Sequence, residues 1–156
     1  MLVYEKQESI IIPKESIRIR VISNSNLEED LILKTKVRKN VEKKIYSLLK
    51  GINDLDTARK IINDNLDNIN NIVNESTNLN YSVKFGNNYF PEKVYKGIIY
   101  DEGNYESIVI TLGKGMGDNF WCVLFPPLCL LDENDTTSDV EYKFFVKELL
   151  DKYLLK

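Results

Sequence analysis

Twelve residues constrain the fold of this chain more than any others: Asn119-Phe120-Trp121-Cys122-Val123-Leu124-Phe125-Pro126-Pro127-Leu128-Cys129-Leu130. They hold the only tryptophan and both cysteines. Val123, Phe125 and their neighbours read as a buried strand. Pro126 and Pro127 stop that strand, because neither offers an N–H to a ladder. Apolar sequence resumes at Leu128, so the bulk on both sides of a rigid break has to fit somewhere specific. Two readings follow: a core strand with a rigid exit turn, or a partly exposed aromatic–proline surface that another protein grips.

A chain of 156 residues is long enough for one domain with a sizeable core. A net charge of −3 argues against a general nucleic-acid footprint. The charge is unevenly placed. Lys34, Lys36, Arg38, Lys39, Lys43, Lys44 and Lys50 face Glu42 alone, and Asp54, Asp56, Asp64, Asp67 and Glu75 follow. The two segments are expected to pair with each other. There is no histidine, which excludes Ser-His-Asp and Cys-His catalysis within this chain. Histidine metal sites go with it, and two cysteines alone do not make a structural zinc site. The expectation is no metal and no cofactor. No run of about 20 apolar residues is present to cross a membrane. Met1-Leu2-Val3-Tyr4-Glu5-Lys6 lacks the apolar core of a signal peptide.

Residues 1–16 read as a lead-in, with a short strand at Ile10-Ile11-Ile12 ended by Pro13. Ile17, Ile19 and Val21 alternate with Arg18 and Arg20, the period of a half-buried strand. The two arginines on one face suit an anion or a carboxylate or, more commonly, solvent. Ser25 and Glu28 have capping-box spacing. Leu33, Val37, Val41, Ile45 and Leu48 form a helical stripe that Gly51 ends. Lys36, Lys39, Lys43 and Lys50 fall opposite, as a solvated face or one that lies on an anionic membrane surface.

Asp54 caps a second helical stretch carrying Leu55, Ala58, Ile61, Ile62, Leu66, Ile69, Ile72 and Val73. Its many asparagines are poor helix formers and predict a break near Asn65. From Tyr81 the period becomes two, with a turn or bulge signal at Gly86-Asn87-Asn88. Asp101-Glu102-Gly103-Asn104 predicts a hairpin between strands at 95–100 and 105–112. Gly113-Lys114-Gly115-Met116-Gly117 is G-x-G-x-G between two strands, which is not a phosphate loop. It predicts a mobile hairpin loop beside Trp121. After an acidic run (Asp132, Glu133, Asp135, Asp139, Glu141), Ser138 starts a last helix with Tyr142, Phe145, Val146, Leu149, Leu150 and Tyr153 on one stripe. The class is α+β: a mostly antiparallel sheet, helices packed on one face, and a closing C-terminal helix. Residues 17–156 are expected to form one domain.

Several segments resemble the stage II sporulation protein R family. They are Ile17-Arg18-Ile19-Arg20-Val21-Ile22-Ser23-Asn24-Ser25-Asn26, Lys34-Thr35-Lys36-Val37-Arg38, Tyr89-Phe90-Pro91, Gly103-Asn104-Tyr105-Glu106-Ser107 and, above all, residues 119–129. The likeness runs from about Ile12 to Asp132. This chain has Phe120-Trp121 where the family usually has paired tryptophans, and Asp101-Glu102 where it often has Pro-Ala. The resemblance implies an exported, extracytoplasmic signal protein in the space between forespore and mother cell. Its implied partner is a membrane-embedded aspartic protease of the mother cell, which cleaves the precursor of the early mother-cell sigma factor. An export segment is implied too, and the expectation is that it has been trimmed from this chain.

On that reading the receptor-contact candidates are Asn119, Trp121, Phe125, Pro126 and Pro127 with Gly115 and Gly117 of the neighbouring loop, since large aromatics dominate interface energetics. Export to an oxidising space would allow Cys122 and Cys129 to pair. Two buried free thiols are the competing reading. Two other classes stay open. One is a hydrolase using Cys122 or Cys129 as nucleophile, with Lys114 or a carboxylate as its basic neighbour. The other is a peptidoglycan-binding module stacking sugars on Trp121, Tyr89 and Tyr105.

Overall fold

The computed structural model describes residues 10–129 and 138–154. Its centre is β2 (Ile17–Ile22). Ile17, Ile19 and Val21 are fully buried on one face, as the period of two requires. β2 lies between β6 (Gly103–Leu112) and β7 (Asn119–Phe125), and β3 (Tyr81–Phe90) forms the far edge beyond β6. β2 runs parallel to β6 but antiparallel to β7, and β3 is antiparallel to β6. The sheet is therefore mixed rather than mostly antiparallel. The long excursion between β2 and β6 supplies the crossover that a parallel pair needs.

β3 passes straight through Gly86-Asn87-Asn88, where a turn was expected. Ten successive pairs with β6, from Tyr81–Leu112 to Phe90–Gly103, override the local signal. Asn88 Nδ2 also donates to Ser107 Oγ at 2.9 Å, so its turn-prone side chain bonds across the sheet.

The crossover contains α1 (Glu28–Leu49), α2 (Leu55–Asp64) and α3 (Leu66–Ser76). Val37, Val41, Ile45 and Leu49 of α1 pack with Ala58, Ile62, Ile69 and Val73 against Ile17, Ile19, Val21, Ile108, Ile110 and Leu112. Leu49 rather than Leu48 completes the buried stripe. Gly51, at φ 79, takes the left-handed position just past the helix end. The start of α1 differs from the expected capping box. Leu27 occupies the cap position, and the Ser25 hydroxyl accepts from Leu27 N and donates to Asp30. That bond, with one from Asn24, holds the Asp30 carboxyl below its ordinary range.

Asn65 breaks the second stretch as predicted, its Nδ2 donating to the Ile61 carbonyl at 2.7 Å. Asp54 caps α2 by accepting from Thr57 N at 2.9 Å. Asp54→Ala is expected to lower the stability by about 1 kcal/mol, read as a shifted urea midpoint with an unchanged slope. An unshifted midpoint would remove the cap from the account.

A small second sheet joins β1 (Ile10–Ile11), β5 (Ile98–Tyr100) and β4 (Lys93–Tyr95) in the order β1-β5-β4. The hairpin falls elsewhere than expected. β4 and β5 turn at Lys96-Gly97, both with positive φ (48° and 79°), the geometry of a two-residue hairpin loop. Asp101-Glu102 instead carries the chain from the small sheet into β6.

The last helix, α4 (Asp139–Leu154), begins with Ser138 Oγ accepting from Glu141 N at 3.2 Å. Its Tyr153 reaches the α1–α3 core, but most of its buried face packs elsewhere. Tyr142, Val146 and Leu150 build a second core with Ile12, Ile98, Tyr100, Leu128 and Val123. Phe145 stays 40% exposed beside Phe144, outside the buried stripe. Asp132, Glu133 and Asp135 of the acidic run lie outside the described residues.

The basic and acidic segments do not pair as expected. Among the described residues no α1 lysine forms an ion pair. Arg59 instead bridges Asp56 and Glu106. Lys36, Lys39, Lys43 and Lys50 are exposed.

Candidate functional site

β7 carries the distinctive stretch. Trp121 pairs with Arg20, Cys122 with Ile19 and Val123 with Arg18, with an irregularity before Ile17–Phe125. Paired residues share a face. Cys122 and Leu124 therefore enter the helix-covered core, and Trp121 and Val123 lie on the side of the arginines. Phe125 is 2% exposed and meets the Tyr153 ring edge-on at 5.3 Å. The Phe125–Pro126 peptide is cis, and Leu128 N donates to Pro126 O at 2.7 Å. This turn brings Cys129 back under the strand, where it is bonded to Cys122 with the Cα atoms 5.3 Å apart. Both sulfurs are buried.

Beside the disulfide lies a group that the sequence reading left out of the site. Glu42 of α1 is 2% exposed. Its Oε1 accepts from Arg38 Nε at 3.0 Å and sits 3.5 Å from Cys122 Sγ. The Arg38 guanidinium in turn covers the Phe120 ring at 3.7 Å. A lone acid four residues after an arginine, flanking the apolar stripe of a basic helix, was a readable signal for a buried ion pair.

The glycine loop is not a hairpin, because β2 lies between β6 and β7. It crosses the end of β2 and is tied to the segment before α1. Lys114 N donates to Asn24 Oδ1, Met116 N to Asn24 O, Gly117 N to Ser23 O and Asp118 N to Asn26 Oδ1. A Cβ at Gly117 would collide with the Ser25 carbonyl oxygen, so glycine is required for this close approach. The loop expected to be mobile is thus pinned by at least four backbone donors.

The seven receptor-contact candidates do not form one patch. Gly115, Gly117 and Asn119 lie at one end of β7 and Pro126 and Pro127 at the other, about 20 Å apart along the strand. Asn119, Trp121, Pro127, Gly115 and Gly117 are partly exposed, while Phe125 and Pro126 are buried. The sugar-stacking set fares similarly. Tyr105 is 5% exposed beneath Arg18, and Tyr89 projects from the helix-covered face of β3, opposite to Trp121. For the hydrolase reading, both thiols are consumed in the disulfide and Lys114 sits in the loop past the far end of β7.

The other side of the sheet overturns a second expectation. Arg18 is not solvated: it is 2% exposed, with its guanidinium 3.5 Å from the Tyr105 ring centroid and within 6 Å of Phe90 and Tyr100. Burial holds it below its ordinary pKa. Trp121 meets Phe90 edge-on at 6.0 Å, with Arg20 and Lys93 each 5.9 Å from its ring.

Fold and site define a small α+β domain with a disulfide-clamped strand and an aromatic–cationic sheet face. The model of the family Stage II sporulation protein R (spore_II_R) matches residues 13–135. Stage II sporulation protein R of Bacillus subtilis (strain 168) is 38% identical over 156 residues, covering 96% of this chain and 70% of that protein. No solved structure matches. The chain belongs to the stage II sporulation protein R family.

Proposed function

We propose that this chain is a sporulation signal rather than an enzyme. On this reading it acts outside the cytoplasm, between forespore and mother cell, and activates a membrane-embedded aspartic protease. That protease then cleaves the precursor of the early mother-cell sigma factor. The observation that carries the reading is family membership across residues 13–135. The geometry supports a binding role through Trp121, a half-buried aromatic on the sheet face that α1–α3 leave uncovered. Large aromatics at such positions are the usual anchors of an interface. Asn119 lies beside it on β7 and completes the proposed contact. Any membrane contact of this domain is peripheral on this reading, and among the described residues no helix is long and apolar enough to cross a membrane.

The test is reconstitution. Purified protein is supplied from outside to cells expressing the protease and the precursor, and cleavage is scored. The wild-type chain should trigger cleavage, and Trp121→Ala should reduce it by about tenfold or more with circular dichroism and melting temperature near wild type. A fully active Trp121→Ala chain would move the contact surface elsewhere. Absence of cleavage with the wild-type chain would overturn the signalling role.

A further inference from the structure

The face opposite α1–α3 gathers N–H donors that lack acceptors among the described residues. Arg18 Nε and Nη2, Arg20 Nε and Trp121 Nε1 are all buried, and among the described residues no group accepts from any of them. They are neighbours: Arg18 and Arg20 are alternate residues of β2, and Trp121 pairs with Arg20 across to β7. Phe90, Tyr100 and Tyr105 wall the group. No described carboxylate forms an ion pair with either arginine; the Tyr105 side chain shares a hydrogen bond with the Arg18 guanidinium, and Asp101 acts on it through space, which leaves Nε and Nη2 without an acceptor among the described residues. Cation–aromatic contact offsets part of the cost of burying Arg18. It supplies no acceptor for the N–H groups, and unmade hydrogen bonds of charged donors are expensive.

Arginine and tryptophan N–H groups only donate, so what completes this group must be rich in acceptors and negative. Nε and Nη2 form one edge of the guanidinium, the planar fork that meets two oxygens of a flat group side by side. A carboxylate matches that fork and is slim enough to lie between aromatic walls. We propose that Arg18, Arg20 and Trp121 form a carboxylate-binding site, reached past the half-buried side chains of Arg20 and Lys93. If the signalling reading holds, the carboxylate belongs to an acidic side chain of the protein partner, but the site itself is independent of that reading.

Trp121 is the only tryptophan, so its fluorescence reports the site directly. Purified full chain is titrated with sodium acetate, hexaglutamate and inorganic phosphate, each against sodium chloride at matched ionic strength. Acetate or hexaglutamate should give a saturable change that chloride does not. Its midpoint should rise by about tenfold or more in Arg20→Gln. Arg20→Lys keeps the charge, removes the buried Nε donor and should weaken binding as well, which guards against a folding defect in one variant. Tighter binding of hexaglutamate assigns the carboxylate to a polypeptide, and tighter binding of acetate to a small molecule; both support the site. A response to phosphate alone, a response equal to chloride, or an unchanged midpoint in both variants overturns it. None of these measurements involves the protease, so failure here leaves the signalling test intact.

Discussion

Replacing Arg38 by methionine should destabilise the protein by about 3–5 kcal/mol. Glu42 is 2% exposed, and Arg38 Nε donates to its Oε1 at 3.0 Å. Methionine keeps much of the apolar contact over Phe120, so the loss isolates the charge. What remains is a carboxylate buried between α1 and β7 without the Arg38 cation, and breaking a buried ion pair from one side is costly. The double variant Arg38→Met/Glu42→Leu should recover most of the loss, because neither charge is then desolvated. Urea denaturation of the single and double variants gives both numbers. A single variant within about 0.5 kcal/mol of wild type would place the pair among the weak, screened ones. A double variant less stable than the single would mean that Glu42 holds α1 to β7 by more than its bond to Arg38.

Cys122→Ser/Cys129→Ser should cost about 2.5 kcal/mol, the chain-entropy estimate for a closed loop of this size. The disulfide fixes the turn through Pro126 and Pro127 beneath its own strand, with Cα atoms 5.3 Å apart. Without it, β7 must hold Phe125 and Leu128 in two different cores by packing alone. Adding reductant to the wild-type protein should lower its melting temperature to near that of the double variant, and should leave the variant unchanged. Alkylation of denatured, unreduced protein followed by mass spectrometry should label neither cysteine. Two labelled cysteines in protein from its native compartment would restore the free-thiol alternative. A folded double variant that still triggers precursor cleavage would also dispose of a cysteine nucleophile.

Much of the fold was legible where the local signal and the tertiary demand agree. The α1 stripe up to Ile45, the Asp54 cap, the Asn65 break and the period of β2 all read correctly, because each depends on spacing within one element. The misread turns share one cause: pairing partners distant in sequence. Gly86-Asn87-Asn88 has turn chemistry, but β6 offers every one of those residues a partner. Asp101–Asn104 has hairpin chemistry, but the actual reversal needs positive φ at two adjacent residues, and Lys96-Gly97 provides it. At the site, Trp121 and the cysteines announced themselves by type. Arg18 did not, since an alternating arginine on a strand looks the same whether water or an aromatic cage receives it. Glu42 was visible as an anomaly of charge, but its neighbour Cys122 lies eighty residues away.

The position of β2 also governs when the protein can fold. The strand at the sheet's centre is made before both of its neighbours, which come roughly ninety or more residues later. Such non-local pairing gives a high contact order, and loop closure must precede any reward from the sheet. A growing chain therefore carries Ile17, Ile19 and Val21 without their final partners until β6 and β7 have been synthesised. Completing the sheet is therefore a late step that engages nearly the whole described chain at once.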